Sequence, residues 1–313
     1  MVDLQIFASP LSLILAAAFL IAVVVFGLRA DSSRIARFAT NMWTAVVLML
    51  STLVLMAVEG TWGIPLHRSW PFVVIVLLLS FSLGLTAYKD IRKKSITAAL
   101  SHTGLFLILF GGLFGAPDVL DSQMVVSKDE PTNIAYMANG EIVPLPFEVQ
   151  LKDFTIDYYE NGTSPKQYTS TLTVGGKELR TSVNHPSGYK GYRFYQSDYD
   201  RYEQQYSIIK VVCDPWLPLV FLGMAILALA AILEVRRAWH SKAVLPVVIV
   251  LAGIFASISV ARISFGTLMP ALRSLWFIPH VIIYMLAYSV LAISLLSGIL
   301  SRYVKRIPSE LSG

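Results

Sequence analysis

Long stretches without a single charged residue constrain this chain more than any other feature. Leu11 to Leu28 is eighteen residues with none. A helix rises about 1.5 Å per residue and the hydrocarbon core of a bilayer is about 30 Å thick, so some 20 apolar residues make a spanning helix. Seven segments approach or meet that length: Leu11 to Leu28, Met42 to Val58, Pro71 to Tyr88, Ala98 to Gly115, Pro215 to Val235, Ala243 to Ala261 and Trp276 to Leu300. Composition agrees, with 55% hydrophobic and 14% charged residues and a mean hydropathy of +0.63, against about 45–50% and about 25% in soluble domains. Disordered, collagen-like and disulfide-stapled architectures are excluded. Leu11 to Leu28 is read as a retained helix rather than a secretory signal, because nothing basic precedes it and Arg29, Arg34 and Arg37 follow it, the reverse of signal-peptide order.

The net charge of +5 invites a nucleic-acid reading, and the placement of the charges removes it. Residues 116–214 hold 9 basic against 14 acidic side chains, while the rest of the chain holds 16 against 6. Alternate loops collect Arg29, Arg34, Arg37; Lys89, Arg92, Lys93, Lys94; Arg236, Arg237, Lys242; and Arg302, Lys305, Arg306. The intervening loops hold only Arg68, Arg262 and Arg273. Cytoplasmic loops are the basic ones, so the expected topology has the amino terminus and residues 116–214 outside and the carboxyl terminus in the cytoplasm. The predicted fold is a polytopic α-helical membrane protein of about seven spans with an inserted extracytoplasmic antiparallel β domain. Residues 1–115 form a four-helix transmembrane region, 116–214 the β-rich domain, and 215–313 a three-helix transmembrane region.

The β assignment rests on period-2 alternation. Phe147-Glu148-Val149-Gln150-Leu151 and Thr169-Ser170-Thr171-Leu172-Thr173-Val174 show the pattern of half-buried strands. Asn161-Gly162 and Gly175-Gly176 occupy hairpin-turn positions. Asn161-Gly162-Thr163 also matches a glycosylation sequon, for which the turn role is explanation enough. The segment holds ten of the chain's fourteen tyrosines.

Ionisable groups inside a bilayer are costly and therefore functional candidates. Apart from Glu234 at the end of the fifth span, the seven segments contain His102 and His280, and neutral imidazole ligates metals and haem iron. His102 lies in Ser101-His102-Thr103-Gly104, about one turn into the fourth span; Gly104 would leave room for a flat ligand, and Gly111 and Gly115 form a small-xxx-small pair able to seat a helix. A histidine bonded to an adjacent helix fits the same residues. His280 lies in Trp276-Phe277-Ile278-Pro279-His280, with Tyr284 and Tyr288 one and two turns on; an interfacial aromatic belt fits these equally. The two histidines stand near opposite leaflets, on the order of 20 Å apart by helix rise, so they cannot share one iron and each would need a second ligand from elsewhere. His67, His185 and His240 are read as structural or solvated. The lone Cys213 and the absence of a C-x-x-C argue against thiol-redox chemistry. No nucleotide-binding or hydrolase motif is present.

Ser69-Trp70-Pro71-Phe72, Ser101-His102-Thr103-Gly104, the stretch Ser182-Val183-Asn184-His185-Pro186-Ser187-Gly188-Tyr189-Lys190-Gly191-Tyr192-Arg193-Phe194-Tyr195-Gln196-Ser197, and Asp214-Pro215 resemble the ResB (CcsB) component of System II cytochrome c biogenesis. Met269 to His280 resembles the partner family, CcsA (ResC), just before its tryptophan-rich loop, and no W-W-D-type segment follows before Gly313. The resemblance implies a ResB unit joined to the opening helices of a CcsA-like unit, in a bacterial cytoplasmic membrane. It further implies that His102 is the transmembrane haem ligand and His280 the first external one, each with its mate on a tryptophan-rich CcsA/ResC-like subunit. Haem b is then a transported cargo, presented for thioether attachment to apocytochrome c alongside thiol-reducing partner proteins. The chain would belong to a holocytochrome c synthase assembly without being catalytic alone. Two other classes stand beside this: a non-haem anchoring subunit whose β domain holds a protein client, and a haem-b or quinone electron-transfer subunit. The latter needs two ligands at matching depth, and the sequence offers none.

Overall fold

Apolar runs and capping side chains together place the helices. The computed structural model describes residues 4–29, 33–160, 164–238 and Tyr284. Its helices are α1 (Leu11–Leu28), α2 (Arg34–Ala39), α3 (Met42–Trp62), α4 (Trp70–Arg92), α5 (Ile96–Gly115) and α6 (Leu217–Ala238). Ser33 Oγ accepts from the Ala36 amide, Asn41 Oδ1 from Trp43 and Ser69 Oγ from Phe72, at the starts of α2, α3 and α4. Asp214 Oδ1 accepts from the amides of Trp216 and Leu217 at the start of α6. Side-chain oxygens thus satisfy amides that a helix start leaves without partners.

Five of these helices, all but α2, are long and apolar enough to cross a membrane, and they coincide with the first five expected spans. The sixth and seventh expected spans lie outside the described residues. The membrane reading is also visible in what the helices fail to bury. α3 buries none of its 21 residues, and Val47, Leu50, Leu53 and Val54 are all exposed. In water so large an apolar face would seek a partner; lipid tails cover it without one.

The chain divides into two units. The first comprises the helices through Ser122 together with Lys190–Tyr192 and Val211–Arg237; the described part of the second is Gln123–Tyr189 and Arg193–Lys210. In the helical unit the core is aromatic. Phe106, Phe110 and Phe114 recur along one face of α5 and meet Phe19 of α1 and Trp216. Ala36 and Ala39 of the short helix α2 pack on Val23 and Leu85, and Ser82 Oγ donates to the Ala39 carbonyl at 2.6 Å.

Eight strands form one sheet: β1 (Leu120–Ser127), β2 (Thr132–Met137), β3 (Ile142–Tyr158), β4 (Pro165–Val174), β5 (Lys177–Ser182), β6 (Ser187–Tyr189), β7 (Tyr192–Tyr199) and β8 (Tyr206–Cys213), in the order β5-β4-β3-β2-β1-β8-β7-β6. The two alternating runs noted in the sequence lie on β3 and β4, which pair antiparallel with Val149 opposite Val174 and Leu151 opposite Leu172. Phe147, Val149 and Leu151 are buried and Glu148 is exposed, as period 2 requires. Gly175-Gly176 joins β4 to β5 with φ of +52° and +82°, the left-handed pair a two-residue type I′ hairpin requires. Asn161-Gly162 lies outside the described residues.

The long Asn184-to-Ser197 motif proves to be largely fold-determining. Ser182 and His185 exchange backbone hydrogen bonds at 3.1 Å around a tight turn, with His185 exposed. Tyr189 packs edge-on against Phe147 at 5.2 Å. Phe194 is fully buried, and its carbonyl accepts from Thr181 Oγ1. Gln196 accepts at Oε1 from Ser170 Oγ, while its Nε2 donates to Ser207 Oγ and to the Asp198 carbonyl, both at 2.8 Å, so a buried amide has its partners.

Candidate functional site

His102 has a carboxylate partner. α4 ends in Lys89-Asp90-Ile91-Arg92, the chain turns through Lys93-Lys94-Ser95, and α5 starts at Ile96. This hairpin returns His102, in the second turn of α5, to Asp90, two residues before the end of α4. His102 Nδ1 lies 2.7 Å from Asp90 Oδ2. With the carboxylate ionised, Nδ1 carries the proton and donates it, which leaves the Nε2 lone pair free. The imidazole side chain is 36% exposed and the aspartate 17%. A carboxylate behind an imidazole fixes its tautomer and raises its basicity as a ligand, the arrangement found behind most metal-binding histidines.

The surroundings are cationic. Arg92, Lys93 and Lys94 are exposed in the α4–α5 turn, and Lys89 Nζ donates to Thr40 Oγ1 at 2.9 Å. One imidazole nitrogen with its lone pair free can hold a metal ion or a metal-bearing ligand, and the nearby cationic turn favours an anionic one.

Gly104 does not leave the expected gap beside the imidazole. A Cβ there would lie 2.8 Å from the Gly223 carbonyl oxygen and 2.9 Å from the Leu227 amide. The missing side chain instead allows backbone contact between α5 and α6, the use small residues commonly serve between membrane helices. Gly111 and Gly115 seat the same helix, at Val220 and Trp216, as their spacing suggests.

A second imidazole–carboxylate pair lies at the other end of α4. α3 continues past Val58 to Trp62, which brings Glu59 under the turn Leu66–Arg68. Glu59 Oε1 engages His67 Nδ1, and Oε2 accepts from the His67 amide at 2.9 Å. From Trp70 to Asp90 is twenty residues of one helix, so the His67 and His102 pairs stand roughly 30 Å apart. A third buried-edge carboxylate, Asp118, accepts from the Ser9 amide (2.6 Å), Ser12 Oγ (2.8 Å) and Trp216 Nε1 (2.7 Å); it is a structural tie. Cys213 is half-buried, and burial, aided by neighbouring Asp214, raises its thiol pKa, so the protonated, unreactive form prevails at neutral pH. His280 lies outside the described residues. Among the described residues no three His, Cys, Asp or Glu side chains gather around a common metal position.

The sequence singles out His102 but neither its partner Asp90 nor the pairing of Glu59 with His67. An acidic residue amid Lys89, Arg92, Lys93 and Lys94 is the available signal for the first. Glu59 lies one residue past Val58, where the expected span ends, and so is not counted among the ionisable groups within the spans.

A family model covers this region. Residues 85–212, which include both Asp90 and His102, match the model of the ResB-like family. That stretch of the chain is similar to the ResB-like family. The cytochrome c biogenesis protein Ccs1 of Rhodomonas salina is 36% identical over 123 residues, 37% of this chain and 28% of the relative. Cytochrome c biogenesis protein CcsB of Synechococcus sp. (strain JA-3-3Ab) is 33% identical over 107 residues, 32% and 22% of the two chains. Protein NrfI of Wolinella succinogenes is 30% identical over 186 residues, 54% and 19%. The chain thus aligns with less than a third of the length of these curated relatives. Among solved structures, the cytochrome c haem lyase CcmF is similar with a TM-score of 0.36 and 14% identity, over 72% of this chain and 45% of that one, too low to establish a common fold.

Proposed function

We propose that this chain binds haem at His102 and hands it across the membrane for attachment to apocytochrome c, in company with a CcsA-like, tryptophan-rich subunit. The observation that carries the reading is the Asp90–His102 pair: a partly exposed imidazole, oriented by a carboxylate, at the basic end of two long apolar helices. Asp90 holds the Nδ1 proton, Nε2 faces the iron, and the lysines and arginine of the α4–α5 turn meet the propionates. The second axial ligand comes from the partner. In this reading the basic end of the helical unit is cytoplasmic, the amino terminus and the sheet are extracytoplasmic, and the spans outside the described residues complete a set of seven. His280 is then the outer haem contact of the carboxyl-terminal region, and the sheet receives apocytochrome. The homologues' names support the pathway; the imidazole–carboxylate geometry supports the step.

The test is a haem spectrum of the full chain co-purified with its partner. His102→Ala is expected to remove the histidine-ligated Soret band attributable to this site. Asp90→Asn is expected to keep the band but weaken haem retention about 10- to 100-fold, the usual cost of losing a carboxylate behind a ligating histidine. Unchanged haem content in His102→Ala rejects the reading and favours an anchoring subunit.

A further inference from the structure

The His67 pair is more than a clasp for its loop. Glu59 already holds the loop through the His67 amide, and any residue at position 67 offers that amide. The imidazole adds a second bond to the same carboxylate and, with its Nδ1–H donated to that oxygen, keeps the Nε2 lone pair for another partner. His67 is 43% exposed. Its immediate neighbours have complementary chemistry. Trp62 and Trp70 bracket the loop in sequence and are both exposed, at 67% and 58%; Trp70 is braced edge-on by Phe7; Arg68 is exposed beside them. Exposed indoles at a membrane surface commonly act as anchors, but anchors do not need an oriented imidazole or a guanidinium between them.

We infer that the Trp62–Trp70 loop is a second haem-docking site on this chain, with His67 as axial ligand oriented by Glu59, the flanking indoles against the porphyrin faces and Arg68 for a propionate. The inference rests on the haem-handling reading above and deepens it. The chain would receive haem at one end of α4 and release it from the other, with the same imidazole–carboxylate device at both.

The experiment uses the full chain in nanodiscs titrated with haemin, with ligation read from the Soret and visible bands. In a chain carrying His102→Ala and His280→Ala, one histidine-ligated haemin is expected to remain. Adding His67→Gly is expected to abolish it, and free imidazole is expected to restore the band, which a loop-clasp role would not do. Glu59→Gln is expected to weaken binding about 10- to 100-fold without abolishing it. If wild type binds haemin but the His102→Ala/His280→Ala chain binds none, or binds it equally well after His67→Gly, the second site is overturned while the His102 reading stands. If wild type itself shows no histidine-ligated haemin, both fall.

Discussion

The helical unit and the sheet unit solve the same problem, holding a chain in one arrangement, with opposite means. The sheet buries Met124, Val126, Val149, Leu172, Val174, Phe194 and Ile209 completely, and the polar groups it buries with them, such as Ser170, Gln196 and Ser207, are hydrogen-bonded to one another. The helices do the reverse: apolar side chains such as Ile14, Ile21, Leu50 and Leu53 face outward, and order comes from close glycine contacts, stacked phenylalanines and a few hydrogen-bonded polar groups. The difference teaches what solvent each unit was built for. It also explains why the proposed sites stand out. Where the surroundings are lipid, each ionisable side chain must have a reason to be there, and His67, His102 and their carboxylates stand out; in the water-facing sheet, His185 is one exposed polar residue among many.

Breaking the contrast is straightforward. Phe194→Ala removes a fully buried ring and is expected to destabilise the sheet by about 3–5 kcal/mol, seen as a lost cooperative melt or as rapid proteolysis between β5 and β8. Next comes a matched pair of substitutions on exposed apolar residues. Leu53→Lys, near the middle of α3, is expected to cost about 2.5–3.5 kcal/mol of membrane insertion, read from the yield of integrated protein; Val125→Lys on β1 is expected to change sheet stability by no more than about 0.5 kcal/mol. Equal effects would mean that the two surfaces face the same solvent. The smallest expected effect is at Asp200, whose carboxylate accepts from the amides of Tyr202, Glu203 and Gln205. The Tyr202 amide contributes most to holding its pKa below the ordinary aspartate range. Because the folded pKa is the lower one, the contribution is complete above the unfolded aspartate pKa and is lost as pH falls through the folded value. Protection of the Tyr202, Glu203 and Gln205 amides, measured relative to their intrinsic exchange rates, is therefore expected to fall on acidification, and Asp200→Asn to remove that pH dependence.

How much of this the sequence discloses depends on the range over which each signal acts. Span positions are legible because hydropathy is a property of one segment, and the alternation in Phe147 to Leu151 is legible because a strand has two faces. The six-residue helix α2 fell below the length that hydropathy can detect; its cues were the Ser33 cap and the alanines that pack on Leu85. α3 outruns its expected end by four residues because Glu59 has His67 as partner. Asp90 and His102 are twelve residues apart on different helices, and only the α4–α5 hairpin makes them neighbours. Gly104 was read correctly as a point of close approach and assigned the wrong visitor: the helix α6 rather than a ligand.

Asp118 imposes an order on biosynthesis. Its partners Ser9 and Ser12 are made about a hundred residues before it, while Trp216 follows it by 98 residues, on the far side of the whole sheet. At about 5–20 residues per second, the ribosome takes about 5–20 s to supply that last partner. The indole therefore completes the tie only after the whole sheet segment has been made, while Phe19 meets Phe110 and Phe114 without it.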